Sequence, residues 1–201
     1  MIILDCIQLS NEWFQSRCGI PTASHFDKIV TSKGEPSKQA EKYLYQLAGE
    51  RITGVKEETY QNATMLRGTE MEEEARNLFQ MIHDVEVWQV GLVYPDEKKL
   101  FSCSPDGLMG DTGLEIKCPL IHTHVGYLLK GGLPTDYIQQ VQGSMLITGF
   151  NHWYFMSYYP GLPPLIIKVE RDRDFIMLLR IELETFCSEL DRVEAELRRL
   201  G

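Results

Sequence analysis

Asp106, Glu115 and Lys117 are two carboxylates and an ammonium within twelve residues of one another. Asp106 lies in a Pro-Asp-Gly turn, and a short glycine-containing connection leads to Leu114-Glu115-Ile116-Lys117. The alternation of that segment predicts a strand with Leu114 and Ile116 on one face and Glu115 and Lys117 on the other. Acids and a lysine gathered on a sheet edge suit a divalent cation and the water it activates. The chemistry this points to is phosphodiester hydrolysis. A solvated strand face with a cross-strand pair is the plain alternative for any single Glu-x-Lys. It weakens when Pro-Asp-Gly stands nine residues upstream of the glutamate.

A third acid comes from the segment Arg67 to Arg76, which holds four glutamates. Met71, Ala75, Leu78, Phe79 and Ile82 define an apolar helical face. At about 100° per residue, Glu72 falls at the edge of that face, whereas Glu70, Glu73 and Glu74 point to solvent. An inward glutamate needs a partner. An arginine would serve, but the Asp106 cluster makes a metal ion the stronger reading. Hard oxygen ligands from Glu72, Asp106 and Glu115, with the Ile116 carbonyl, suit Mg2+. Lys117 would hold or deprotonate the attacking water, or neutralise charge developing on phosphorus.

The elements that must position these groups follow from capping and periodicity. Ser10 caps a short helix containing Trp13 and Phe14; Gly19 to Pro21 ends it, and Thr22 or Ser24 starts the next. Thr31 to Pro36 reads as a loop. Helices are expected over Pro36 to Ile52, Asn62 to His83, Pro134 to Thr148 and Asp172 to Leu200. Strands are expected over Val85 to Tyr94, Leu100 to Cys103, Leu114 to Cys118, His152 to Tyr159 and Leu165 to Glu170. The pattern is α/β with a central mixed sheet. The aromatic run Trp153 to Tyr159 reads as sheet core, His122 and His124 as surface histidines, and Lys28, Lys33 and Lys38 as solvated loop charges.

The 201 residues fit one domain, 1–201, with 43% apolar and 24% charged residues. The sequence has neither a membrane-length apolar run nor a signal peptide, so the expected location is cytoplasmic, the bacterial host cytoplasm if the chain is phage-encoded. Five dispersed cysteines argue against a disulfide framework and a structural zinc site. A net charge of −9 means that any nucleic-acid surface must be a local basic patch.

Pro105-Asp106 … Glu115-Ile116-Lys117 resembles the PD-(D/E)xK nuclease superfamily. The longer run Ser104-Pro-Asp-Gly107 … Leu114-Glu-Ile-Lys-Cys-Pro119 is similar to the phage lambda exonuclease and YqaJ-like alkaline exonuclease family. Three further segments agree, in family order: Arg17-Cys-Gly-Ile-Pro-Thr-Ala-Ser24; Gly68-Thr-Glu-Met-Glu72 with Ala75-Arg76 and Leu78-Phe79; and Gln140-Val-Gln142 with Ser144-Met145 and Trp153-Tyr154-Phe155. The resemblance implies a restriction-endonuclease-like core, a central mixed β-sheet flanked by α-helices. It makes Glu72, Asp106 and Glu115 the metal-binding acids, Lys117 the catalytic lysine and Gln140 a polar residue near the scissile bond. Arg17, Ser24 and Ser104 become a clamp for the DNA 5′ phosphate. Read without the family, Arg17 would be a surface salt bridge and Ser24 a helix cap. Residues 120–132 depart from the family pattern.

The activity so implied is a 5′-to-3′ exonuclease that uses Mg2+, two ions per site with Mn2+ as a substitute. It would degrade one strand of double-stranded DNA to mononucleotides from its ends, as a homotrimeric ring, with a single-strand annealing protein as partner in phage-type recombination and no membrane partner. Rival readings are a RecB/Cas4-like or restriction-like nuclease, and a non-catalytic DNA-end-binding recombination scaffold. The scattered cysteines disfavour a cluster-bearing Cas4 type.

Overall fold

The Pro-Asp-Gly turn and the Leu-Glu-Ile-Lys segment open and close a tight hairpin at the edge of a four-stranded sheet. A computed structural model describes residues 1–56 and 63–200, and the side chains of 71–200 from the long acidic helix onward. The expected helix start at Asn62 and the side chains of Gly68, Thr69 and Glu70 lie outside the described residues. In the hairpin, β3 (Gly107–Met109) runs antiparallel to β4 (Thr112–Lys117), with Met109 opposite Thr112. Gly110, at φ 57°, takes the left-handed conformation the two-residue turn requires.

The sheet order is β3-β4-β5-β6, where β5 is His152–Ser157 and β6 is Leu165–Glu170. β4 and β5 are parallel and the other pairs antiparallel, so the sheet is mixed. β4 is central and covered on both faces. Leu114 and Ile116 pack with Ala75, Phe79, Val87, Met156 and Tyr158 beneath α3 (Ala63–His83). The opposite face carries Trp153 and Phe155 into the main core, under α5 (Ile138–Thr148). The backbone of Gly113 is pressed against the Trp153 ring; a Cβ there would lie 2.2 Å from it.

The remaining elements hold this core. β1 (Ile2–Leu4) pairs antiparallel with β2 (Leu92–Tyr94) as a separate ribbon. α1 (Asn11–Ser16) is capped by Ser10, whose Oγ accepts from the Trp13 amide at 3.3 Å. A 3-10 helix spans Ala23–Lys28. α2 (Ala40–Thr53) lies on α6 (Arg173–Leu200), with Tyr43 stacked on Phe186 and Arg51 bridging Asp191 and Glu194. α4 (Ile121–Lys130) fills the segment 120–132.

Several expected elements differ. Val85–Tyr94 is a strand only over Leu92–Tyr94, because Trp88 pairs with Leu108 while Leu92–Tyr94 pairs with β1, so the segment turns between two partners. Leu100–Cys103 forms isolated bridges, Ser102 to Thr22 and Cys103 to Val93. Pro134–Thr148 divides into a 3-10 turn, Thr135–Tyr137, and α5. His124 is buried, not superficial: its Nδ1 meets Ser157 Oγ at 2.8 Å and its Nε2 the Pro163 carbonyl at 3.0 Å. All five cysteines are free thiols. Among the described residues no helix is long and apolar enough to cross a membrane.

Candidate active site

The hairpin register explains the spacing of the motif. Gly107 lies opposite Leu114, so Asp106 is delivered beside Glu115. The Asp106 amide donates to the Leu114 carbonyl at 3.1 Å, and its Oδ2 accepts from the Ile116 amide. The turn therefore fixes the carboxylate at the start of the hairpin and commits the Ile116 N–H to it.

Glu115 is 2% exposed, on the α5 face of the sheet. One of its oxygens, Oε1, meets Lys117 Nζ and Gln140 Nε2, each at 2.6 Å. Lys117 Nζ also lies 5.2 Å from the Tyr137 ring centre. Burial works against the Lys117 charge, but Glu115 and Asp106 outweigh it and hold the ammonium above its ordinary pKa. Burial, followed by the charges of Glu115 and Glu72, pushes Asp106 well above the usual carboxylate range, against Lys117 and the Ile116 amide. The acids thus outnumber the cations that serve them, an arrangement a bound cation would relieve.

Glu72 is the inward glutamate of its helix: Glu73 and Glu74 are exposed, while the Glu72 side chain is 29% exposed. Its partner is Arg76, one turn on, at 2.8 Å. Burial, with Glu115 assisting, raises its pKa against the pull of Arg76 and Lys117. The arginine and metal readings of Glu72 therefore meet in one side chain. Arg76 also donates from Nε to the Asp106 carbonyl at 3.0 Å, joining the acidic helix to the turn.

The second half of the site is built by α1. Arg17, at its C-terminal end, is 7% exposed, with its guanidinium 3.9 Å over the Trp13 ring. Its NH1 donates to Ser104 Oγ at 3.2 Å, and its NH2 to Thr22 Oγ1 at 3.2 Å and Ser24 Oγ at 3.4 Å. The structure brings Arg17 together with Ser24 and Ser104, and the alternative of a surface salt bridge does not hold. Burial lowers its pKa to about 10, and among the described residues its Nε has no hydrogen-bond partner. A buried guanidinium fanned over three hydroxyls has the chemistry to receive an anion. Ser24 caps no helix: the N-cap of the 3-10 helix is Thr22, which makes no side-chain capping hydrogen bond.

These halves share one cleft of about 170 Å³, lined by Arg17, Ser24, Ser104, Asp106, Glu115, Lys117 and Gln140. Glu72 lies in a larger adjoining cleft of about 620 Å³, and Gln8 lines both. Gln8 donates to the carbonyls of Pro105 at 2.8 Å and Val90 at 2.9 Å, fixing the wall between them. Sequence reasoning missed Trp13, Thr22, Gln8 and Arg76 as parts of this site. Two were signalled by spacing: Trp13 and Arg17, like Glu72 and Arg76, stand four apart on a helix.

Among the described residues no three His, Cys, Asp or Glu side chains form a closed metal-binding set. Mg2+ does not require one. It is commonly held by one or two carboxylates, with waters and substrate phosphate oxygens completing its shell. Asp106 and Glu115 fit that donor chemistry, with Glu72 on the adjoining wall.

Residues 12–151 match the YqaJ-like viral recombinase domain family. An alkaline exonuclease (LHK-Exo) from Laribacter hongkongensis is 34% identical, with 94% of this chain and 97% of that one covered and a TM-score of 0.86. The same protein in complex with dAMP gives 33% identity and a TM-score of 0.85, with the same coverage. A phage related exonuclease from Haemophilus somnus, 15% identical over 89% of this chain and 96% of its own, shares the fold at a TM-score of 0.71. No curated protein matched the chain. The fold is of the restriction-endonuclease-like type, a mixed sheet flanked by helices. With its matched region covering Trp13 to Gly149 and a third of its residues shared with a solved alkaline exonuclease, the chain belongs to the YqaJ-like viral recombinase domain family.

Proposed function

We propose that this protein is a Mg2+-dependent 5′-to-3′ exonuclease that degrades one strand of linear double-stranded DNA to mononucleotides during phage-type recombination. The observation that carries this reading is the shared cleft: an anion receptor (Arg17, Ser24, Ser104) sits beside a carboxylate–lysine cluster (Asp106, Glu115, Lys117). A terminal 5′ phosphate in the receptor would leave the next phosphodiester of the same strand at the acids. Hydrolysis there, with water attacking phosphorus and the P–O3′ bond breaking, frees a nucleoside 5′-monophosphate. It also leaves a new 5′-phosphorylated end, which re-enters the receptor. Direction and step size then follow from one geometry. The relative named an alkaline exonuclease, also solved with dAMP, supports a nuclease that handles nucleotides of this kind.

Asp106 and Glu115, with Glu72 and the Ile116 carbonyl, would hold Mg2+, which supplies charge neutralisation at the phosphate and a more acidic attacking water. Arg17 binds and orients the DNA end, and the hydroxyls of Ser24 and Ser104 direct it. Gln140 and Lys117 hold Glu115 in place. Lys117, beside Glu115 at 2.6 Å, would hold or deprotonate the attacking water, or neutralise charge developing on phosphorus. A ring-shaped trimer enclosing the duplex, with a basic lumen, reconciles the −9 charge with DNA binding. A single-strand annealing protein is the partner this reading calls for, in the host cytoplasm.

The test is digestion of a 3′-labelled linear duplex with Mg2+, beside a closed-circular control. Mononucleotide products and shortening from the 5′ end are expected. Cutting of the closed circle would indicate an endonuclease and sink the exonuclease reading.

A further inference from the structure

His25 follows Ser24 directly and is not among the residues that the motif picks out. Its Nδ1 lies 3.1 Å from Ser24 Oγ and 3.2 Å from Thr22 Oγ1, the two hydroxyls that share Arg17 NH2. Those hydroxyls are 3.2 Å from each other. The ring is stacked on buried Tyr43, with centroids 5.6 Å apart and planes 21° apart, so its orientation is set by the core.

Proton accounting decides what this cluster does. Each hydroxyl accepts from Arg17 and has one proton to give. Thr22 is 3% exposed, so its proton needs an internal acceptor. If Nδ1 accepts it, the exposed Ser24 keeps its own O–H free to donate into the cleft. If Nδ1 carries the proton instead, the cluster closes with His25 donating to Thr22 and Thr22 donating to Ser24, each hydroxyl using its second lone pair. With either tautomer of the neutral ring, His25 partners Thr22 and the Ser24 O–H is left to the cleft. Burial, and then the charges of Lys28, Arg17 and Lys56, lower the His25 pKa to about 3, which keeps it neutral. Ser104 follows the same rule on the other side: its Oγ accepts from Arg17 NH1 and from Trp13 Nε1, which leaves its proton to the cleft.

We propose that His25 is a positioning residue of the end-binding pocket: it holds the Thr22 hydroxyl, leaves the Ser24 O–H to the cleft and so sharpens the pocket's selectivity for a terminal phosphate monoester over a hydroxyl. The inference rests on the exonuclease reading for its ligand, a 5′-phosphorylated DNA end. Its chemistry is confined to Thr22, Ser24 and Arg17.

The experiment compares blunt duplexes with 5′-phosphate and 5′-hydroxyl ends on the wild type, His25→Ala and His25→Asn. Cleavage is followed in Mg2+, and end binding by fluorescence anisotropy in Ca2+. His25→Ala is expected to lower the phosphate-to-hydroxyl ratio of kcat/KM about tenfold, the loss falling on KM, as expected for one hydrogen bond to a charged ligand. His25→Asn, whose side-chain oxygen offers an acceptor at a similar reach, is expected to restore most of the ratio. A ratio unchanged in His25→Ala, or an equal loss on both kinds of end, would overturn the proposal. If the wild type prefers phosphorylated ends in anisotropy but cuts neither duplex, the exonuclease reading fails, and the His25 ratio is still read from the Kd values.

Discussion

Arg76 reaches Asp106 across thirty residues of sequence, its Nε donating to the aspartate's backbone carbonyl at 3.0 Å. The same guanidinium pairs with Glu72 at 2.8 Å. Gln89, with its carboxamide oxygen turned toward the arginine, accepts from NH1 at 2.9 Å and NH2 at 3.1 Å. One side chain, 7% exposed, therefore ties the acidic helix to the turn that presents Asp106.

Removing that tie should cost stability. Arg76→Ala is expected to destabilise the protein by about 2–3 kcal/mol, the range for buried hydrogen bonds to charged groups. Arg76→Lys should recover only part, since a lysine lacks the planar fork that serves Glu72 and Asp106 together. Urea unfolding measures both, and a lysine variant as stable as the wild type would contradict the two-partner role.

The helical-face argument for Glu72 predicts a difference between neighbours. Mg2+ is expected to raise the melting temperature of the wild type, as a ligand that binds the folded state does. Glu72→Ala should weaken that dependence more than Glu73→Ala, because Glu73 is exposed and outside the electrostatic group of Asp106 and Glu115. Equal Mg2+ titrations for the two variants would remove Glu72 from the site.

How far the sequence carried depended on whether the partner was local. The Leu165–Glu170 strand, the closing helix and the inward set of Glu72 follow from periodicity alone, and the structure has them there. The Asp106–Glu115 juxtaposition was legible because a two-residue hairpin closes it. What sequence could not supply was long-range pairing. Val85–Tyr94 reads as one strand until Trp88 is seen to pair with Leu108 and Leu92–Tyr94 with the N-terminal strand. Without the family resemblance Arg17 would read as a surface cation, because Ser104, which receives its NH1, lies 87 residues away. His124 looks superficial because its partners Ser157 and Pro163 come from the end of β5 and the connection after it.

Trp13 touches both parts of the anion receptor. Its ring lies beneath the Arg17 guanidinium, and its Nε1 donates to Ser104 Oγ at 3.0 Å and to the Gly91 carbonyl at 3.1 Å. Trp13→Phe keeps a ring under the arginine but removes both donations. A loss of about 1–2 kcal/mol is expected from the stranded carbonyl, with a weaker preference for 5′-phosphorylated ends. Arg17→Ala should lose most of that preference. An unchanged preference in Arg17→Ala would dismiss the receptor.

Gly113 is set by contact, not by backbone conformation. It lies opposite Trp153 in the parallel β4–β5 pair, and its missing Cβ is where the indole sits. Gly113→Ala forces the central strand or the fully buried Trp153 to move, at a cost of about 1–3 kcal/mol. Glu115 is two residues along the same strand, so cleavage should fall along with stability. A variant that melts with the wild type would show that the sheet yields more easily than its packing implies.

Lys117 and Glu115 give the sharpest separation of binding from chemistry. Lys117→Ala should still bind duplex ends through Arg17, because the receptor makes no contact with the lysine, but cleavage should be lost. The variant also leaves Glu115, 2% exposed, with Gln140 as its remaining hydrogen-bond partner at 2.6 Å. An uncompensated buried carboxylate is costly, whereas removing both members of the pair relieves the cost. Lys117→Ala is therefore expected to be less stable than the Glu115→Ala/Lys117→Ala double variant in the absence of Mg2+. The coupling between the two sites in a double-mutant cycle should reach about 1–3 kcal/mol. The lysine is partly open to solvent, with 26% of its side chain exposed, which places the expectation below the extremes for fully buried pairs. Additive single-variant losses in urea would mean that the ion pair contributes nothing to the fold and that the lysine's contact with Glu115 serves chemistry alone.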